Sequence, residues 1–213
     1  FVDAGVEAGY SRTEDPNGFQ QEGFGPMDMT VRKGVRSSTS NAYLKPAISR
    51  HNLHVSAGTI VSRILFEDGR AVGVEYKQGS NVYRVNVRRD VILSGGPIAS
   101  PQLLMLSGVG DQKELSDIGI DVVHHLPGVG KNLQDHLELY VQQECTQPIS
   151  LYSSLNPMAK AMIGIRWILT RGGLGATNHF ESGAFIRSRE GIAWPDIQYH
   201  FLPAAMSYDG NSV

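Results

Sequence analysis

The stretch Ser94-Gly95-Gly96-Pro97-Ile98-Ala99-Ser100-Pro101-Gln102-Leu103-Leu104-Met105-Leu106-Ser107-Gly108-Val109-Gly110 decides how this 213-residue chain is read. It follows Val91-Ile92-Leu93, a short apolar run that predicts a buried strand. The glycine pair permits a sharp turn, and free N–H groups there suit a phosphate or a ribose. Ser100 takes the place of an N-cap and Pro101 that of the first helical residue. Leu103, Leu104 and Leu106 supply the buried face of the helix, and Gly108 and Gly110 end it. Strand, glycine turn, capped helix and glycine stop is a nucleotide-domain layout. A plain tight turn with a packing helix accounts for the same local pattern, since many βα units share it.

Upstream, residues 1–10 read as a helix tail with Val2 and Val6 on one side, ended by Gly9. Asp15-Pro16-Asn17-Gly18 is a turn. Residues 19–29 carry Gly23, Gly25 and Pro26 among aromatics, a loop or lid composition. Ala42-Tyr43-Leu44 opens an apolar helix face that ends at or shortly after Pro46. Three runs then alternate apolar with polar: 59–66, 71–76 and 82–87. Glu67-Asp68-Gly69-Arg70 and Gln78-Gly79-Ser80-Asn81 fall between them as hairpin turns, which predicts an antiparallel meander.

Downstream, 113–118 predicts a short helix and 121–123 a short strand. His124 and His125 are adjacent, so on a strand they point to opposite faces and do not share a metal. Gly128-Val129-Gly130-Lys131-Asn132 fails as a phosphate-binding P-loop, which needs Gly where His125 stands and Ser or Thr at Asn132. It fails as a dinucleotide fingerprint too, because Leu133 stands where a third small residue is required. Residues 137–145 alternate as a strand. Residues 155–170 have helical spacing, with Asn156-Pro157 near the start and Gly172-Gly173 past the end. The runs 180–186 and 196–201 read as two strands of a new sheet.

The bulk composition is that of a globular chain, 41% hydrophobic and 19% charged. A net charge of −2 leaves no basic footprint for nucleic acid. No apolar run approaches the roughly 20 residues needed to span a membrane. The single cysteine, Cys145, rules out an internal disulfide framework. The first residues open as if inside a helix and the last stop in a turn-like stretch, so the chain is expected to be the middle of a longer protein.

Gly96-Pro97, Ser100-Pro101, Leu103-Leu104 and Ser107-Gly108-Val109-Gly110 together resemble the second signature of the glucose-methanol-choline (GMC) oxidoreductases. Gly34-Val35-Arg36-Ser37-Ser38-Thr39-Ser40-Asn41-Ala42-Tyr43-Leu44 and Leu126-Pro127-Gly128-Val129-Gly130-Lys131-Asn132-Leu133-Gln134-Asp135-His136 agree with the same family. The likeness runs through nearly the whole chain and is greatest to choline-oxidising members, down to His200-Phe201-Leu202-Pro203. It implies a mixed α/β (α+β) architecture: the middle of an FAD-binding Rossmann-like domain with its antiparallel meander, followed by the start of an antiparallel-sheet substrate domain. The implied divisions are a lid or junction segment at 1–30, flavin domain at 31–140 and substrate domain at 141–213.

Alcohol oxidation needs a hydride acceptor and a base for the hydroxyl proton. The resemblance makes FAD the acceptor, with Ser94, Gly95 and Gly96 at the cofactor and Val61 meeting its adenine end through the backbone. A plain core valine is the other reading of Val61, and the two are compatible. The family's catalytic histidine and its partner lie beyond Val213, and its Gly-x-Gly-x-x-Gly turn is not among these residues, so no catalytic residue is assigned. Glu181, in a Glu-x-Gly-x-Phe stretch, matches the glutamate that holds the trimethylammonium head in choline-oxidising relatives. That head donates no N–H, so charge and aromatic faces must recognise it. An exposed strand-end glutamate is the alternative. The implied substrate is choline, with possible peripheral membrane association and a cytoplasmic or membrane-surface location. Two further functional readings stand: a GMC alcohol oxidoreductase with an uncharged substrate, and a non-catalytic polypeptide that keeps only the middle of the fold.

Overall fold

A computed structural model describes residues 1–205; the turn-like stretch 207–213 lies outside the described residues. In chain order come helix α1 (Val2–Glu7) and strands β1 (Gly23–Pro26), β2 (Val31–Arg32) and β3 (Val35–Arg36). A π-helical turn (Ser40–Leu44) runs into α2 (Lys45–Ala47). Strands β4 (Thr59–Glu67), β5 (Arg70–Gln78) and β6 (Asn81–Asn86) precede α3 (Gly96–Leu106), β7 (Val109–Gly110), α4 (Gln112–Asp117) and β8 (His124–His125). A 3₁₀ turn (Leu151–Ser154), α5 (Pro157–Thr170), β9 (Ser182–Ile186) and β10 (Ile197–Phe201) complete the order. Two units form: residues 1–51 with those from 140 onward, and residues 52–139.

The first unit is built on the antiparallel sheet β1-β9-β10. Phe24, Ala184 and Tyr199 stand in one cross-strand row, so strand alternation puts them on one face. Phe24, Ala184 and Ile186 are the buried core, with Val2 of α1 and Ile197 packed against them. Apolar residues on one face of a sheet must be covered, and α1 covers them here. The segment 19–29 is thus not wholly a loop, because Gly23–Pro26 joins the sheet as an edge strand. Helix α5 begins as its sequence predicts: the Asn156 Oδ1 accepts the Ala159 N–H at 2.8 Å and Pro157 opens the first turn. It ends on Arg171 in the left-handed region (φ 54°). The Trp167 Nε1–H donates to the Gly34 carbonyl at 2.6 Å, tying α5 to the β2–β3 hairpin.

The second unit centres on the meander β4-β5-β6. Asp68 and Gly69 both have positive φ (48° and 75°), the requirement of a two-residue turn whose twist matches its strands. Gly79 (φ 60°) opens the second turn. The register shifts once around Ser62 and again between Leu65 and Phe66. Ile64, Val109 and Leu115 are the buried apolar residues of this unit, and Leu115 is fully buried.

Several sequence expectations change. Val91–Ser94 do not form a strand, and Ile92 is 84% exposed. A strand exists only with a neighbour to complete its ladder, and none pairs there among the described residues. Helix α3 starts at Gly96, not at Pro101, because Gly96 at φ 81° turns the chain into the helix five residues earlier. Pro101 lies inside the helix. The strand expected at 121–123 appears at His124–His125, in parallel with Val109–Gly110. Residues 137–145 form no strand; Leu137, Leu139 and Val141 are exposed where the chain passes back to the first unit.

Candidate functional site

The residues expected at the cofactor all belong to the second unit. Ser94, Gly95 and Gly96 form an exposed turn at the N-terminus of α3. The first turn of a helix leaves N–H groups without intrahelical partners, and the dipole there favours negative charge. The Gly95 N–H is already used: it donates to the Ser100 Oγ at 3.0 Å. Ser100 therefore reaches back to fasten the turn and does not cap the helix forward. At Gly96 nothing lies within 4 Å of where a Cβ would stand, and φ is 81°. Only glycine holds that conformation readily, and the space over it is open, so these residues fit the close approach of a phosphate-bearing or ribityl group.

The far end of α3 is fixed by Ser107. Its Oγ accepts the Ile64 N–H at 2.8 Å and donates to the Leu103 carbonyl at 2.6 Å. Strand β4 is an edge strand of its sheet, so alternate backbone groups point away from β5. Ser107 satisfies one of them and joins helix to meander. Gly108 (φ 84°) passes so close to the next segment that a Cβ would stand 2.4 Å from the Asp121 carbonyl. The Gly108 carbonyl in turn accepts the Val123 N–H at 2.8 Å. The Ser-Gly-Val-Gly run is thus a packing device behind the glycine turn. Val61 lies on β4, opposite Tyr76, just before the Ser62 bulge, and is 41% exposed. It is not a core valine. A position on an outer strand leaves backbone groups available for a ligand.

Next to this lies a charge cluster the sequence reading did not single out. Glu75 receives Arg63 through Nε–Oε1 (3.2 Å) and Nη2–Oε2 (3.2 Å), and Arg84 through Nε–Oε2 (3.1 Å). The Arg63 hydrogen bond, with Arg84 assisting, holds the Glu75 carboxyl below its ordinary range. His125 accepts the Gln112 N–H on Nδ1 at 3.0 Å, at the start of α4, while His124 is exposed. The His125 imidazole thus serves the first turn of α4, and the His124 N–H donates to the Gly108 carbonyl at 3.1 Å.

Glu181 belongs to the first unit. Its carbonyl accepts the Met27 N–H at 2.9 Å, extending the β1–β9 ladder by one residue. Gly183, two residues on, is forced: a Cβ there would stand 2.4 Å from the Tyr199 carbonyl and 3.0 Å from the Met27 side chain. Glu181, Gly183 and Phe185 alternate onto one face, which explains the glycine of Glu-x-Gly-x-Phe. The Glu181 side chain is exposed, and no ion pair or hydrogen bond holds its carboxylate among the described residues. Sequence reasoning missed the strand partner Met27, because Gly23-Phe24-Gly25-Pro26 carries little strand propensity. Elsewhere in this unit lies an open depression of about 430 Å³ lined by Glu22, Arg187, Arg189, Glu190, Gly191 and Ile192. It contains none of the expected site residues.

The family model described as GMC oxidoreductase matches residues 1–138, and the chain belongs to that family. Over all 213 residues it is 58% identical to the oxygen-dependent choline dehydrogenase of Photobacterium profundum, and covers 38% of it. It is 60% identical over 204 residues to the mitochondrial choline dehydrogenase of Mus musculus, matching 96% of this chain and 34% of that protein. The chain thus spans little more than a third of the length of these curated relatives. Among solved structures it resembles an FAD-dependent oxidoreductase from Chaetomium thermophilum, with a TM-score of 0.74, 26% identity, and coverage of 87% of this chain and 33% of that one. Pyridoxine 4-oxidase from Mesorbium loti gives a TM-score of 0.66, 27% identity, and coverage of 87% and 32%.

Proposed function

We propose that the protein to which this chain belongs oxidises choline to betaine aldehyde, with FAD as the hydride acceptor. Ser94, Gly95 and Gly96 at the open turn, with Val61 on edge strand β4, would hold the cofactor. Bound FAD supplies the acceptor for the hydride that leaves the alcohol carbon. The Gly96 turn admits a close approach that any side chain would obstruct. Glu181 provides the negative charge for the trimethylammonium head. The observation that carries this reading is the exposed Glu181 carboxylate, held by no ion pair or hydrogen bond among the described residues, on a backbone anchored by Met27. A carboxylate not neutralised by a local cation is available to a cationic substrate. Identity of 58% over the whole chain to proteins named choline dehydrogenase supports the same substrate. Peripheral membrane association goes with this reading as a further proposal.

An uncharged alcohol is the second reading, favoured by the likeness to pyridoxine 4-oxidase. Turnover by the complete, flavin-loaded protein decides between them. Choline should be oxidised with a far higher kcat/KM than a neutral alcohol of similar shape. Equal values would favour the second reading. A protein that holds no flavin at all would favour a non-catalytic role.

A further inference from the structure

His179 is a non-glycine residue in the left-handed region, at φ 67°, two positions before Glu181. Neighbouring side chains fix it there. The Thr177 Oγ1 accepts the His179 N–H at 2.9 Å, and the Asn178 Oδ1 accepts the Phe180 N–H at 3.1 Å. The Thr177 hydroxyl donates to the Met29 Sδ at 3.2 Å, tying the kink to the segment that follows β1. Beyond it, the Phe180 ring meets the His200 ring edge-on at 6.0 Å, and the Met27 N–H donates to the Glu181 carbonyl. Ser182 then enters the sheet opposite Pro26 and Phe201. Imidazole, like the side chains of Asn and Asp, tolerates this backbone region better than most, whereas a β-branched residue does not. In a strand, a slip of one residue sends every side chain to the opposite face.

We propose that His179 is a positioning residue: its left-handed kink sets the register in which Glu181 enters the sheet, and so aims the carboxylate at the substrate's cationic head. This rests on the assignment of Glu181 made above. The imidazole itself need not touch substrate; the backbone conformation carries the effect.

The test uses the full-length flavoprotein. His179→Gly and His179→Asn, which permit positive φ, should keep the choline KM within about twofold of the parent. His179→Val should raise the choline KM about tenfold or more, with kcat, flavin content and the KM for a neutral alcohol little changed. In the Glu181→Gln background the Val effect should vanish, since the two changes act through one contact. Equal choline KM values for the Val and Gly variants would overturn the proposal, as would a loss in the Gly and Asn variants equal to that in Val. If the Val variant loses its flavin, His179→Ala against His179→Gly makes the same comparison with a smaller side chain, and equal KM values there overturn the proposal. If Glu181→Gln alone leaves the choline KM unchanged, it is the head-group assignment that fails. If Glu181→Gln raises it and His179→Val does not, only the kink's role fails.

Discussion

The Ser107 hydroxyl accepts the buried N–H of Ile64, 43 residues away, and so fastens helix α3 to edge strand β4 of the meander. Both residues are buried, with 6% exposure each. Replacing Ser107 with Ala leaves the Ile64 N–H without a partner and without water. The expected cost is about 1–3 kcal/mol of unfolding free energy, read from the urea midpoint. An unchanged midpoint would mean that the meander and helix do not depend on this bond.

Gly108 and Gly119 separate two effects that usually travel together. Both have positive φ, 84° and 74°. Around Gly119 nothing lies within 4 Å of a Cβ position, whereas at Gly108 the Asp121 carbonyl would be 2.4 Å away. Gly119→Ala should cost only the conformational term, about 1–2 kcal/mol. Gly108→Ala should cost clearly more, because the parallel contact of β7 with β8 must also open. Thermal unfolding of the two variants checks this; equal losses would contradict it.

The Glu75 cluster gives a pH dependence with a definite sign. Arg63 first, then Arg84, lower the folded-state pKa below the ordinary 4.5. The unfolded chain therefore binds more protons between the two values, and stability rises with pH through that window. The contribution is fully present above the ordinary carboxylate range and disappears as pH falls through the folded value. Urea midpoints of the parent and Glu75→Gln should differ at pH 7 and converge on acidification. A difference that does not change with pH would show that the cluster is electrostatically silent.

These features divide by how local their causes are. The meander was legible because its alternation and its Asp68-Gly69 and Gly79-Ser80 turns are decided within a few residues. Helix α5 was legible because Asn156, Pro157 and the spacing after them act locally. The start of α3 was misread because two prolines and Ser100 allow either entry, and only the φ of Gly96 decides. Val91-Ile92-Leu93 and residues 137–145 have strand patterns without, among the described residues, the neighbour a ladder needs. Strand β1 was hidden for the opposite reason: its glycines are there to let Thr13 pack close, with a Cβ at Gly25 only 2.2 Å from the Thr13 carbonyl. For the site, Glu181 came from resemblance to a family and no local pattern singles it out, whereas the glycine turn has a local pattern that a plain packing turn shares. Ser107 and Met27 were invisible as partners, since their contacts join distant segments.

A polypeptide of residues 1–213 alone should not retain flavin tightly. The glycine turn offers part of a cofactor site, but no Gly-x-Gly-x-x-Gly run that cradles a pyrophosphate is in this sequence. After purification and gel filtration, the chain should carry far less than one flavin per molecule. Stoichiometric flavin on a polypeptide of this confirmed mass would contradict the expectation.

The central claim, that Glu181 selects a cationic alcohol, is tested most directly by Glu181→Gln in the full-length enzyme. A carboxylate about 4 Å from a fixed positive charge is worth roughly 4 kcal/mol at an effective dielectric near 20, before desolvation is subtracted. Glutamine keeps the size and removes the charge. The choline KM should rise about ten- to a thousandfold, a loss of roughly 1.4–4 kcal/mol, while the KM for a neutral alcohol and the flavin content stay as they were. A choline KM that does not move would make Glu181 an ordinary strand-end residue and remove the basis for the substrate assignment.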